Sequence, residues 1–309
     1  MSGFSAIDLA QLPSPDIIEN LSFEAILQSM LSDLVERDPS FNAYTESDPV
    51  YKILEVAAYR EVLLRARIND AAKGVMLAYA VNADLDNLAG FFGVERQLID
   101  EGDPDAIPPI ESKYESDDRL RKRVQLSMEG HSTAGPIGSY VYHALAASPQ
   151  VKDVDVSSPH PGEVLVTVLS SENQGVPDQA LIDQVFNQLN ADSVRPLTDR
   201  VTVQACQVVS YEVQAKLHLY DGPDANVVKA KSIESITQYV KDHHLLGNDI
   251  TLSGIYAALH QPGVERVELI KPTTNITLSQ HEAGWCEGIT SIKGGKCDLS
   301  ITSYQRNKL

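Results

Sequence analysis

The chain has 309 residues, 43% hydrophobic and 22% charged, which suffices for two or three domains with buried cores and is too apolar for a disordered chain. Its formal charge of -18, from 43 acidic and 25 basic residues, excludes a surface built to neutralise nucleic-acid phosphates or to sit on an anionic membrane. Cys206, Cys286 and Cys297 are too few for a disulfide framework and fit a reducing compartment.

In chain order, apolar pairs at Ile26/Leu27, Met30/Leu31 and Leu34/Val35 recur every four residues and predict an amphipathic helix over Ser22 to Arg37, closed by Asp38-Pro39. Ser47-Asp48-Pro49 supplies a cap and a first-turn proline for a second helix reaching Lys73. That helix is rich in Ala, Leu, Glu and Arg and is about 37 Å long at 1.5 Å per residue. Asp84 reads as the cap of a short helix through Leu85, Leu88 and Phe92, stopped by Gly93. Ile99 to Ser116 is acidic and proline-rich, a linker or exposed loop. A helix from Asp117 to Met128 follows, with Leu120, Val124 and Met128 inward. Its basic run, Arg119, Arg121, Lys122 and Arg123, reads as a solvated outer face.

After Gly135-Pro136 the texture becomes α+β. A helix through Tyr142 and Leu145 leads into a strand at Val151 to Val156, a turn at Ser157 to Gly162 and a second hairpin strand at Glu163 to Leu169. A helix over Pro177 to Asn190, strands at Val201 to Ala205 and Tyr211 to Tyr220, and a helix over Val227 to Val240 come next. The sequence echoes itself: Tyr142 and Leu145 precede Pro149, Val151 and Val154 as Tyr256 and Leu259 precede Pro262, Val264 and Val267. Either one small α+β unit is used twice, or a common helix-to-strand turn recurs. Gly294-Gly295-Lys296 reads as a turn between strands at Thr290–Ile292 and Leu299–Ile301.

Signals for chemistry are sparse. Gly294-Gly295-Lys296 lacks the first glycine, the spacing and the Ser/Thr of a phosphate loop. Cys286, Cys297 and His281 lack the spacing and number of a zinc set, so two reduced cysteines on facing strands is the stronger reading. His243-His244 sits at a helix end, where the dipole favours histidine. His131-Ser132 has no nucleophile elbow. Asp100, Glu101, Asp103 and Asp105 lack the glycine and ligand spacing of a calcium loop. No signal peptide is expected, and no apolar run reaches the ~20 residues that span a bilayer.

Six segments carry a resemblance: Ala83 to Arg96 (ADLDNLAGFFGVER), Asp117 to Val124 (DDRLRKRV), Thr133 to Leu145 (TAGPIGSYVYHAL), Ser148 to Leu169 (SPQVKDVDVSSPHPGEVLVTVL), Val194 to Val203 (VRPLTDRVTV) and Pro262 to Pro272 (PGVERVELIKP). Each is mostly turn and cap chemistry, and it is their order and spacing that are specific. Together the chain resembles the baseplate J-like family of contractile phage tails, with the match fading after Ser279. The resemblance implies a structural, non-enzymatic wedge component of the baseplate, needed for tail assembly and for the shape change that triggers sheath contraction. It implies self-association and a smaller baseplate wedge protein as partner, with hub, spike and sheath-initiating proteins nearby. No nucleic-acid partner, membrane insertion, catalytic residue, cofactor or metal site is implied. The expected location is the tail of the virion, after synthesis in the host cytoplasm.

The expected fold class is α+β: a helical N-terminal region followed by two small α+β units with mixed or antiparallel sheets. The division is a helical region over 1–98, an acidic linker over 99–116, a first α+β unit over 117–207 and a second, with a C-terminal hairpin, over 208–309. A protein interface is expected on the N-terminal helices, at Ile26, Leu27, Met30, Leu31, Leu34, Val50, Leu54 and Ala57, because a helix of this length outruns the radius of a compact domain. Two alternatives stay open: a baseplate subunit of a tailocin or secretion-type injection machine, and a cytosolic α+β enzyme with an unrecognised site.

Overall fold

The computed structural model describes residues 9, 12–13, 15–41, 45–130, 136–220, 222 and 224–293. The chain divides into two units, one built from Ala6–Arg96 and Ser116–Val124, the other chiefly from Gln97–Glu115 and Gln125–Leu309.

The first unit is helical. Helix α1 (Phe23–Arg37) begins at Ser22, whose hydroxyl accepts from Ala25 N at 3.2 Å, and ends at Asp38. Helix α2 (Pro49–Gly74) begins at Asp48, whose carboxylate accepts from Val50 N, with Pro49 in the first turn where its missing N–H costs nothing. Helix α3 (Asn82–Phe91) starts earlier than its sequence suggests: Val81 is the cap position and Asp84 lies inside the first turn. Asp117 supplies the missing cap from outside, its carboxylate accepting from Asn82 N at 3.1 Å. Gly93 stops the helix with φ +68, a conformation that favours glycine.

The acidic segment is a paired ribbon rather than a free linker. Strand β1 (Leu98–Asp100) runs antiparallel to β2 (Lys113–Tyr114), with a further bridge between Asp103 and Ile110. The acidic side chains shape it: Asp100 accepts from Gly102 N at 2.9 Å and Asp103 from Asp105 N at 3.0 Å, folding the backbone back so the arms can pair. Helix α4 (Asp117–Gly130) follows.

The second unit holds two three-stranded sheets. In the first, β3 (Val151–Ser157) and β4 (Glu163–Ser170) form an antiparallel hairpin, and β5 (Arg200–Ala205) lies parallel to β4. Helices α5 (Ile137–Ala147) and α6 (Gln179–Leu189) cover one face, where Val154, Val156, Val166, Val168 and Val201 are buried. Alternation along each strand places these valines on one side, as period two requires. In the second sheet, β6 (Gln207–Leu219) is central, antiparallel to β7 (Val264–Lys271) and parallel to β8 (Glu282–Lys293). Tyr211, Val213, Ala215 and Leu217 on β6 pack into a core with α7 (Ala225–His243) and α8 (Leu252–Leu259).

Both sheets share one plan: an antiparallel edge, a centre and a parallel edge. The chain visits those places in a different order in each. The sequence echo marks the same step in both, α5 into β3 and α8 into β7, each a helix feeding the antiparallel edge strand.

Strand β8 begins at Glu282, eight residues before the expected Thr290. The turn at Gly294-Gly295-Lys296 and the strand at Leu299–Ile301 lie outside the described residues.

Candidate functional site

The eight residues expected at an interface lie on the α1–α2 pair, and the packing separates them. Leu27 and Leu31 are buried against Ala58, with Ile26, Met30 and Leu54 packed partly buried around them. Leu34 and Val50 are half-buried, and Ala57 is exposed. Most of the set therefore joins the two helices to each other. Successive helical residues are about 100° apart. Leu54 and Ala58 thus face α1, Val56 and Leu63 fall nearly opposite, and Ile53, Leu64 and Ile68 run along the flank between.

These apolar side chains are wet. Ile53 is 68% exposed, Leu64 66% and Ile68 61%. From Ile53 to Ile68 the stripe is about 22 Å long. Polar groups brace α2 along its inner flank: Asn69 is buried and exchanges two hydrogen bonds with the backbone of Glu19, accepting from its N at 3.1 Å and donating to its O at 2.9 Å. Arg65 bridges Glu61 and Glu19 at 2.7 and 3.0 Å. Periodicity alone does not say which apolar residues of α2 meet α1.

The basic run on α4 is not a solvated face. Arg123 is 5% exposed and donates to Glu95 O at 3.0 Å. Arg121 donates to Leu77 O and Ala80 O, both at 2.8 Å, closing carbonyls left open beyond the end of α2. Arg96 donates to Asp86 at 2.6 Å and to Asp117 at 2.7 Å. Burial opposes ionisation of Asp117, but the N–H of Asn82 and the Arg96 guanidinium hold its carboxyl below the ordinary value. A guanidinium offers several donors in a fixed fork, so it can tie separate backbone groups where lysine cannot. Leu120 and Val124 are buried as expected, whereas Met128 is 70% exposed and Leu126 is buried in its place.

Residues that suggested chemistry are occupied by structure. The Cys206 thiol is buried and donates to Gly175 O at 3.2 Å, and burial pushes its pKa up to about 11. Burial likewise raises Cys286, which donates to Gly288 O at 3.3 Å. Cys297 and His131-Ser132 lie outside the described residues. His281 shares a 3.0 Å hydrogen bond with Thr167. His243 stacks on Tyr239 and bonds its carbonyl at 2.9 Å. His244 is different: it is buried, its Nδ1 meets Gly284 O at 2.8 Å, and burial lowers its pKa. The helix dipole does not account for it. Among the described residues no group of three or more His, Cys, Asp or Glu is arranged to hold a metal ion, and no helix is long and apolar enough to cross a membrane.

Comparison with known proteins bears on what this arrangement does. Three family models match in order: the baseplate J-like N-terminal domain at residues 46–103, the baseplate J-like central domain at 132–205 and the baseplate J-like protein C-terminal domain at 211–292. Baseplate protein J of Escherichia phage P2 is 42% identical over 296 residues, covering 94% of this chain and 98% of that protein.

Proposed function

The chain belongs to the baseplate J-like family, and from that membership we propose that it works as a wedge subunit, holding neighbours in a ring that changes shape. It is a structural component of a phage tail baseplate, and its place is the virion tail. As a wedge it self-associates and takes a smaller wedge protein as partner, with hub, spike and sheath-initiating proteins nearby. It is made in the host cytoplasm and has no catalytic role. A ring of this kind closes through heterologous contacts, so one face of each subunit must remain open to the next.

One observation carries the reading: the apolar outer stripe of α2, left uncovered by α1. Apolar surface of this extent and helical spacing fits a helix of a neighbouring baseplate subunit. The docking residues are then Ile53, Val56, Leu63, Leu64 and Ile68, with Ala57 at their edge. Leu27, Leu31 and their neighbours shape the pair that presents them.

The test is Leu64→Glu with Ile68→Glu in the full chain, mixed with the wedge partner and with unmodified copies. Helix content by circular dichroism should stay unchanged, because both side chains already face water. Affinity should fall at least tenfold, since each buried leucine or isoleucine contributes about 1.5–3 kcal/mol. A double variant that assembles as tightly as the parent removes this face from the interface.

A further inference from the structure

The two sheets of the larger unit are nearly continuous: β5 ends at Ala205 and β6 begins at Gln207, with Cys206 alone between them. The central and C-terminal family models also part in this stretch, at residues 205 and 211. Each sheet has a core of its own, with fourteen buried residues around β3–β5 and eleven around β6–β8. Apolar contact between the sheets is far thinner. Leu169, Cys206 and Ala283 are buried there, with Val208 and Leu246 partly covered.

Polar groups also join the sheets. On the outer face of the first sheet, Asp155 lies opposite Thr167 and Thr167 opposite Gln204, so one polar row crosses all three strands. Gln204 Nε2 donates to Thr167 Oγ1 at 3.0 Å, and that hydroxyl bonds His281 Nδ1 at 3.0 Å, just ahead of β8. One backbone amide crosses as well: Leu246 N, which follows α7, donates to Asp153 Oδ2 on β3 at 3.1 Å.

One member of the row is badly placed for stability. Asp155 is 5% exposed, and its Oδ2 receives no hydrogen bond. His281 Nδ1 stands 3.9 Å away, beyond hydrogen-bond reach. Burial raises the pKa of this carboxyl, against the pull of His281. A buried carboxylate oxygen without a donor opposes closure, because opening returns it to water.

We propose that this contact is a release joint built into the fold: Cys206 is the pivot, the row closed by His281 is the catch, and buried Asp155 keeps the catch weak. The two cores stay intact as the joint opens, since neither depends on the other for its burial. The joint follows from the fold alone and stands whatever the chain assembles with.

Hydrogen exchange read by mass spectrometry on the full chain tests it, comparing the parent with Asp155→Asn and His281→Ala. The peptide carrying the Leu246 amide should exchange faster than those from the centre of β4 and from α7 around Ile236. Asp155→Asn should slow this joint peptide on the order of tenfold, by removing the charge that favours opening. His281→Ala should speed it, and both variants should leave the two cores unchanged. A joint amide that exchanges in step with the cores overturns the proposal, as does an Asp155→Asn protein whose joint opens as readily as the parent's. Should His281→Ala fail to fold, the nearly isosteric Asp155→Asn comparison decides alone.

Discussion

The helical pair and the first sheet unit bury their apolar residues to different degrees. Around β3–β5, helices α5 and α6 close one face of the sheet and leave its valines dry. In the α1–α2 pair, Leu27, Leu31 and Ala58 are the buried centre, and a second stripe of apolar side chains, Ile53 to Ile68, faces water. A sheet covered by two helices can satisfy its core within one chain. Two helices in contact cover only one face each, so a helix with two apolar faces is left with one open. The difference separates a self-sufficient element from one whose burial is finished by a neighbour.

The sharpest way to break this contrast is to charge the sheet core. Val154→Asp puts a carboxylate at a position 5% exposed, facing Val166-type neighbours rather than water. The cost is several kcal/mol, a large part of the stability of an ordinary domain. Thermal denaturation should show the sheet unit lost or melting far below the parent. Normal melting would mean that the inner face of β3 is not dry.

A smaller effect is expected in the helical pair. Leu31→Ala removes a side chain that is 3% exposed, but from a core of few residues whose other face is wet. The loss should lie near the low end of the usual range, about 2 kcal/mol. It should also shrink when a partner covers α2, because binding stabilises the folded pair by mass action. An equally large loss in the free and assembled protein would show that the pair is complete without its neighbour.

The smallest effect concerns acid. His244 is held neutral in the C-terminal half by burial, with Lys152 adding to the depression and the Gly284 carbonyl and Asp153 opposing it. A depressed folded pKa gives stability that is present above the ordinary histidine value and is lost as pH falls through the folded value. Melting of the sheet unit should therefore drop below about pH 6.5, and His244→Gln should flatten that drop. The helical pair should not share this dependence. An unchanged slope in His244→Gln would remove His244 from the acid response.

Much of this was legible in the chain. Apolar pairs four apart placed α1, Asp48-Pro49 placed the start of α2, and alternating valines placed β3 and β4, because these signals are local: they depend on helical period, strand period and capping chemistry within a few residues. The failures share a cause as well. Asp84 looked like a cap because the true capping carboxylate, Asp117, is remote in sequence. Arg121 and Arg123 looked solvated because the carbonyls they satisfy belong to residues 28 to 44 positions away.

By itself, then, the sequence determined the α+β class, most helices and strands through their periods, the cap and first-turn proline at Asp48-Pro49, and the family to which the chain belongs. Tertiary structure alone decided which side of α2 meets α1, that β8 pairs in parallel with β6, and that Asp155 is buried beside His281 with its Oδ2 unpartnered. Local propensity is set by neighbours along the chain. Burial, and the fate of every polar group it encloses, is set by residues that only folding brings together.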